Sequence, residues 1–556
     1  MRNLEKEILG YALKNAIEFG KADAGRIIPK LFQHGLKKEE IGEIMNDVKL
    51  IVDNVNSMTD EERKKEFEKA EKNIKTIERK EGELPELPNA DGKLVFRIAP
   101  FPSGDLHIGN VRAFMANALY AEKYKGKLLL VIDDTIGSEE KQVLPEAYDL
   151  IKESLKWLGI KYDKKIIYKS DRIKIYYEYA EELIEKGKAY VCHCSQEVLK
   201  NNREKGIECA CRQANEKEQL KRWKEMFNEK EGMAILRIKT DMQHPNPAFR
   251  DRVLFKISER THPRVGNKYK VWPTLEMTWA IDDHLLGITH VIRGNDLLME
   301  SEMEKYIWDI FGWKHPEIIH TGLIKIEGTG EKLSKSKAQK EIESGEFTGH
   351  DDPRTWSIHS LKRRGLTKEA IREFIKEMSI SSNDVTVPIE TLYSINRSLI
   401  DKSSERHSFI YKPIELEIKG KPKIKLVYIP IHPEKKIKRK TKADKIFISE
   451  EDFKNLKGTE IRLLHLYNIK LGEKAGEAEF TSSENKEIPK INWVSENVPA
   501  RVLLPNGIWA EGIAGVSIKS LKKDRVIQFE RTGFARFDGK KKNGKNEVYE
   551  FWFAHK

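Results

Sequence analysis

The spacing of apolar positions changes along this chain, and each change marks a different kind of element. Over roughly the first 80 residues they recur at helical intervals: Ile8, Leu13, Ile17, then Ile27, Ile28, Leu31 and Phe32. The next stretch, DEERKKEFEKAEKNIKTIERKEG, has few apolar positions and reads as a solvated helix or a tether. ELPELPNADGK, at 83–93, is a proline-bearing linker at a domain boundary. From 94 to about 190, short apolar runs alternate with helical periodicity: LVFRIA, VRAFMANALYAEKY, KLLLVIDD, PEAYDLIKESLKWLG. That alternation predicts a parallel sheet with crossover helices. A cysteine-bearing region interrupts it, and a second strand–helix block follows at 271–325. Residues 353–380 look helical, and from about 386 the chain breaks into short apolar runs between turns, the pattern of all-β barrels.

These shifts divide the chain into a helical extension (1–88), an α/β domain in two halves (89–190 and 271–350), an insertion (191–270), a helical connector (351–385) and a C-terminal β region (386–556). A chain of 556 residues is too long for one core, so a multidomain protein is expected. Charged residues reach 34%, and Lys plus Arg (101) outnumber Asp plus Glu (89) for a net charge of +12. A basic surplus on a mixed surface suggests a polyanionic partner, nucleic acid before membrane. No apolar run approaches the ~20 residues of a membrane span. MRNLEKEILGYALKNA carries acids, unlike a signal or transit peptide, so a cytoplasmic protein is expected.

Two segments carry candidate chemistry. In LVFRIAPFPSGDLHIGNVRAF, 94–114, a strand breaks at prolines and glycine and re-enters a helix at His107. A helix N-terminus behind such a turn offers free amides and a positive dipole end to phosphate. Gly104 and Gly109 let a ligand approach the backbone, and His107 and Asn110 can donate to phosphate oxygens. GTGEKLSKSK, 328–337, interleaves Lys332, Lys335 and Lys337 with Ser334 and Ser336. A loop of that composition can fold over a triphosphate and neutralise charge that builds in a transition state. The four cysteines form C-x-C at 192–194 and C-x-C at 209–211, with 14 residues between the inner pair. Cys192, Cys194, Cys209 and Cys211 can close a tetrahedron around zinc at ~2.3 Å per bond, with His193 or His244 as a replacement ligand.

Together, FPSGDLHIGN and KLSKS resemble the two signatures of class I aminoacyl-tRNA synthetases, in that order. Arg97 with the prolines after it, IDDT at 132–135, VWPTLEMTWAIDDHLLGITHVIRG at 271–294 and NRSLIDKSSERHSFIYKPIEL at 396–416 are similar to the glutamyl/glutaminyl branch. The helical extension and long β region resemble the archaeal glutamyl form. The resemblance implies a Rossmann-like catalytic domain and C-terminal barrels that hold the tRNA anticodon. It implies ATP and Mg²⁺ as requirements, glutamate and tRNA as substrates, and a monomer. His107 and Asn110 would hold the ATP phosphates, with Pro102, Ser103, Gly104, Gly109, Ser334 and Ser336 around the nucleotide, and Lys335 helped by Lys332 would close over the pyrophosphate. Arg97 would pair with the side-chain carboxylate of glutamate, Asp133 with its ammonium, and Arg293 is a further contact. The archaeal likeness also implies a relaxed enzyme that puts glutamate on both glutamate and glutamine tRNAs.

The chain departs from this pattern at Val131, where relatives usually carry Arg, at IGSEE after Thr135, and at Leu275, where relatives commonly have Tyr. Leu275 bears on amino-acid recognition and leaves the ATP segments untouched. The alternatives are a glutaminyl-tRNA synthetase and a zinc-bearing nucleic-acid-binding protein without ligase activity. In the β region, Tyr411, Trp493, Arg501, Trp509 and Arg536 are of the types that stack on or bond to single-stranded bases. KKIKRKTK, 435–442, is expected on a barrel loop that meets phosphates.

Overall fold

The structure, a computed structural model, describes residues 4–31, 34, 36, 40–71, 74, 84–136, 141–327, 335–378, 382–424, 426–435, 437–543 and 546–556. The chain forms two compact units, Met1–Glu83 and Leu84–Lys556. In the first, helices α1 (Glu5–Phe19), α2 (Ala24–Leu31), α3 (Ile41–Ser57) and α4 (Asp60–Ala70) enclose a core that includes Ile8, Leu13, Ile27, Val48, Val52 and Val55. The charged stretch is helical at its start, and the cause is local. Thr59 and Glu62 form a reciprocal capping box. The buried Arg63 donates to the carbonyls of Val55 (3.0 Å), Gly20 (3.1 Å) and Asn56 (3.0 Å), so one charged residue anchors a helix with almost no apolar face.

The second unit opens with β1 (Val95–Ile98), α5 (Ile108–Lys123), β2 (Lys127–Ile132), α6 (Ala147–Trp157), β3 (Ile167–Tyr168) and α7 (Ile173–Glu185). The chain then leaves the sheet through β4 (Ala189–Cys192), α8 (Gln196–Lys205), α9 (Glu216–Met226), β5 (Ile235–Ile238), β6 (Val253–Ile257) and β7 (Val271–Pro273), whose strands form their own antiparallel sheet. It returns through α10 (Leu275–Leu285), β8 (His290–Gly294), α11 (Leu298–Phe311) and β9 (Glu317–Thr321). The main sheet has the order β3-β2-β1-β8-β9, and every pairing is parallel. Strand order reverses between β1 and β8, so the crevice beyond their carboxyl ends is the place where such a sheet binds ligands. The strands read as near-continuous apolar runs because helices cover both faces.

A short parallel pair, β10 (Ile324–Glu327) with β11 (Val385–Pro388), flanks helices α12 (Lys335–Glu343), α13 (Ile358–Arg364) and α14 (Lys368–Glu377). Where the β pattern was expected to begin, the chain forms another helix, α15 (Ile389–Ile400). It buries Ile389, Leu392, Asn396 and Ile400, a helical spacing that a window of short apolar runs had absorbed. The remainder makes two barrel-like sheets. One has seven strands, including Asn497–Leu503, Trp509–Gly515, Gly533–Asn543 and Asn546–His555, and the other has six, including Pro413–Lys419 and Glu477–Ser482. No helix among the described residues is long and apolar enough to cross a membrane.

Candidate active site

The turn after β1 delivers His107 to the N-cap of α5, where its carbonyl accepts from the amides of Asn110 (2.9 Å) and Val111 (3.2 Å). The leading amides of a helix have no acceptor within it, and they open here on the switch-point crevice. Gly104 adopts φ 137°, a conformation that L side chains rarely take. A Cβ added at Gly109 would come within 3.1 Å of the His107 ring, close enough to push that ring aside by a few tenths of an ångström. Pro102 ties the turn down by accepting from Leu144 N at 2.9 Å. Ser103 Oγ and Asn110 Oδ1 are buried with no hydrogen-bond partner among the described residues. Buried polar atoms left open beside free amides fit a phosphate-bearing ligand.

The helix that follows the second signature meets the first. Ala338, Gln339 and Ile342 of α12 line one cleft with Gly104, His107, His350 and Ser357. Lys335 and Ser336 open that helix. Lys332 and Ser334 lie outside the described residues, and so do the residues around 137–140. Lys337 stands 3.8 Å from Glu341 on the same helix.

Beside the turn lies a buried cluster of charge. Arg97 donates through Nε and Nη2 to the two oxygens of Asp283, the second at 2.9 Å. Arg293 donates to both oxygens of Glu304, at 2.8 and 2.9 Å. Lys169 Nζ lies 3.1 Å from Asp133 Oδ1 and donates to Thr278 Oγ1 at 2.7 Å. Asp282 accepts from Arg172 Nε (2.8 Å) and Tyr176 Oη (2.7 Å). All three inner cations gather around the ring of Trp279, at 4.9 Å for Arg97, 5.1 Å for Lys169 and 5.1 Å for Arg293. Burial disfavours the Arg97 charge, but Asp283 outweighs it and the pKa is raised. For Lys169 burial wins over Asp133 and the pKa is lowered, and burial likewise raises Asp282 and Glu304 against their cation partners.

Arg97, Asp133 and Arg293 thus lie near the ends of β1, β2 and β8 and belong to one buried cluster. The bidentate partner that Arg97 holds here is Asp283, and Asp133 holds Lys169. Lys169, Trp279, Asp283 and Glu304 were not singled out. A signal existed for the acids: Asp282 and Asp283 are consecutive and fully buried on an apolar helix, which requires cations opposite them. Val131 is fully buried in β2, and Leu275 is the first residue of α10.

In the insertion, Cys192 Sγ and Cys209 Sγ lie 3.7 Å apart, and Cys194 Sγ and Cys211 Sγ 4.0 Å. All four sulfurs fall within 4.8 Å of one another. A tetrahedron with ~2.3 Å bonds places its corners about 3.8 Å apart, so the set fits zinc. Arg237 Nη1 lies 3.8 Å from Cys209 Sγ. The bond from Cys192, helped by Tyr190 and Arg237, lowers the pKa of the Cys209 thiol. Histidine replacement does not arise: His193 pairs with Glu229 at 3.1 Å, and His244 interacts locally with Asn246.

The β region corrects two expectations. KKIKRKTK is in large part a strand: Lys438–Thr441 pairs antiparallel with Val427–Pro430. Lys438 and Lys440 are exposed, while Arg439 turns inward to Ser408 Oγ (2.8 Å) and Ser517 Oγ (3.3 Å). Trp493 and Arg536 are buried, Trp493 bonding to the Leu464 carbonyl and Arg536 to Asp524, Asp538 and the Arg363 carbonyl. Their types suited base reading, but the core has taken them. Tyr411 is exposed, and Arg501 lies 4.2 Å over Trp509 while paired with Glu550.

Residues 93–402 match the family model for the catalytic domain of class I tRNA synthetases (E and Q). Residues 404–486 and 490–538 match two models for the anticodon-binding domains of the same family. A glutamate–tRNA ligase of Methanocaldococcus jannaschii is 40% identical, with 97% of this chain and 99% of that protein aligned. One from Pyrococcus abyssi is 42% identical, with 96% and 97% aligned. A solved structure of a glutamate tRNA ligase from Elizabethkingia meningosepticum CCUG26117, in complex with its amino acid, aligns at 22% identity with a TM-score of 0.41, over 56% of this chain and 70% of that one. With its catalytic segment matched over more than half its length and relatives near 40% identity from end to end, the chain belongs to the class I tRNA synthetases of the E and Q family.

Proposed function

We propose that this chain attaches glutamate to tRNA through a glutamyl-adenylate. The observation that carries the reading is the meeting of the His107 turn and α12 at one cleft, beside buried cations at the sheet's switch point. Relatives aligned along the whole chain bear the name glutamate–tRNA ligase, which favours glutamate over glutamine. The α-carboxylate attacks the α-phosphate of ATP and pyrophosphate leaves. A terminal ribose hydroxyl of the tRNA then attacks the activated carbonyl and AMP leaves. Both steps depend on positioning and charge stabilisation, with no covalent enzyme intermediate.

His107 and Asn110 hold phosphate oxygens beside the leading amides of α5, and Pro102, Ser103, Gly104 and Gly109 shape the nucleotide's bed. Lys332, Ser334, Lys335 and Ser336 close over the pyrophosphate. Mg²⁺, arriving with ATP, neutralises the phosphate charge. Arg97 pairs with the side-chain carboxylate of glutamate, Arg293 is a further contact, and Asp133 takes the ammonium. Cys192, Cys194, Cys209 and Cys211 hold a structural zinc. The enzyme acts as a cytoplasmic monomer and serves both glutamate and glutamine tRNAs. Charging each purified tRNA with labelled glutamate tests this. Glutamyl product on both is expected; none on the glutamine tRNA ends the dual use, and preferential uptake of glutamine ends the glutamate reading.

A further inference from the structure

Residues 357–359 run antiparallel beside the turn that carries His107 and pair with it residue by residue. Ser357 bridges to His107, Ile358 N donates to Leu106 O at 2.8 Å, and His359 meets Asp105. The last of these pairs is ionic. Asp105 follows Gly104, its side chain is 2% exposed, and both of its oxygens are engaged. Oδ1 accepts from Leu106 N (2.7 Å) and from Ser154 Oγ of α6 (2.7 Å). Oδ2 accepts from His359 N (3.2 Å) and lies 2.8 Å from His359 Nδ1. The other ring nitrogen, Nε2, lies 3.1 Å from Glu153 Oε2 of α6. A neutral imidazole has one donor, so only the doubly protonated ring gives a proton to each carboxylate. Burial works against that charge, but the bonds to Asp105 and Glu153 outweigh it, and the His359 pKa is raised. Against the same cost of burial, the bonds from His359 and Ser154 hold the Asp105 carboxyl below its ordinary value.

We propose that His359, acting through Asp105, is a positioning residue that holds the His107 turn in place for ATP, and that it does so as a cation. The proposal rests on the reading of His107 as a phosphate ligand and deepens it with a residue that acts at one remove. A carboxylate this deeply buried needs a counter-charge, and a charge-assisted bond fixes the spacing of two elements better than a neutral one. Asp105 passes that constraint on towards His107, because the same carboxylate also holds the Leu106 amide. Two acids are in contact with the ring, Asp105 from the turn and Glu153 from α6. Among the nearby cations, Lys156 of α6 and Lys362 of α13 line one surface groove with Glu153, and Arg363 is held by Asp351 and Asp538. The contacting acids therefore set the sign. As pH rises through the His359 pKa, the ring keeps the proton it gives to the buried Asp105 and loses the one it gives to Glu153. The pair loses its charge, and ATP affinity falls.

The test titrates ATP onto the full chain by calorimetry, with tRNA present and glutamate absent, at about pH 6.5 and at about pH 9, on either side of a raised histidine pKa. The KM for glutamate is read separately in ATP–pyrophosphate exchange. His359→Leu is expected to weaken ATP binding about 10-fold at the lower pH and about threefold at the higher, with the KM for glutamate within about twofold of wild type. His359→Asn keeps an uncharged donor near the Nδ1 position. It is expected to match wild type within about twofold at the higher pH and to fall about threefold behind at the lower. Unchanged ATP affinity in His359→Leu overturns the proposal, and so does an equal loss at both pH values. A rise in the KM for glutamate as large as the loss of ATP affinity, together with lower thermal stability, also overturns it, as the mark of a merely structural pair. Should His359→Leu fail to fold because Asp105 is stranded, adding Asp105→Asn restores neutrality, and ATP affinity is read on that chain. A wild-type enzyme that binds ATP but shows no glutamate-dependent exchange ends the glutamate reading and leaves the role of His359 to be decided by the titrations. Absence of ATP binding in the wild type ends the proposal itself.

Discussion

Glu304 has 0% side-chain exposure and holds Arg293 through both of its oxygens. Glu304→Gln leaves that guanidinium buried without a counter-charge, and we expect a loss of about 3–5 kcal/mol in denaturant unfolding. Replacing Arg293 by Met and Glu304 by Leu together should recover most of it, because both desolvation costs vanish; equal losses for the single and double variants would mean the pair is not the cause. His107 belongs to a different class of residue. His107→Ala or Lys335→Ala should slow adenylate formation by about 10²-fold or more while the fold stays intact, since each removes an interaction strongest in the transition state. Pyrophosphate exchange near the wild-type rate in both variants would refute that assignment. At this scale the sequence exposes a residue when its neighbours in the chain define its setting. His107 sits in its own turn, and Arg97 and Asp133 sit at strand ends. Asp283 is 186 residues from Arg97, and nothing local announces the pairing. Trp493 and Arg536 failed for the opposite reason: residue type alone was weighed, and burial decided.

Elements were legible where one period dominates. The alternation from β1 to α7 and from α10 to β9 follows from apolar runs bounded by turns, and the buried parallel sheet follows from those runs lacking polar alternation. Legibility ended where charge disguised the period. Lys438–Thr441 is basic throughout, yet its partner strand alternates buried Val427 and Ile429 with exposed Tyr428, so the ladder and the partner's inner face make it a strand. This separates its cations by function. Lys438→Gln and Lys440→Gln should flatten the salt dependence of tRNA binding, each by about 0.7–0.9 in log–log slope for the one phosphate that its lysine neutralises. Arg439→Gln should chiefly lower stability, because its guanidinium joins Ser408 to Ser517 inside the barrel region. A slope unmoved by the two lysine changes removes this ribbon from the tRNA interface. The cysteine arms likewise act as one element. Protein purified without chelator should carry about one zinc per chain, and Cys192→Ser with Cys209→Ser should release it, because structural zinc and local folding are coupled. Substoichiometric metal in the wild-type chain would rule the zinc out.

Over the whole second unit, the last strand closes back onto the helices that follow the catalytic cleft. Arg364 of α13 donates to the carbonyls of Ala554 (2.8 Å) and Phe553 (3.2 Å), and Arg363 reaches both oxygens of Asp538 (3.2 and 2.8 Å). Asn396 of α15 bonds His555 Nε2 at 2.9 Å. The start of α13 is itself bonded to the His107 turn, Ile358 N donating to Leu106 O at 2.8 Å, so catalytic and barrel regions share one fastening. That fastening has a pH limit. His555 is 1% exposed, and burial, with Arg397 and Arg364 adding like charge, pushes its pKa down to about 4. Its ring serves the neutral state, with Nδ1 on the Lys556 carbonyl at 2.9 Å and Nε2 toward Asn396. The unfolded chain takes up a proton near the ordinary histidine value of about 6.5, well before the folded chain does. Protons therefore favour unfolding between those values. The contribution of His555 is whole above about pH 6.5, falls as pH drops, and is lost by about pH 4, for a total of about 3 kcal/mol. His555→Gln keeps an acceptor for Asn396 and does not titrate. Stability curves of the two chains should run parallel above pH 7 and converge or cross below 6, the wild type losing more as acid is added. Curves that stay parallel down to pH 4 would show that the ring is charged, or solvated, in the folded enzyme.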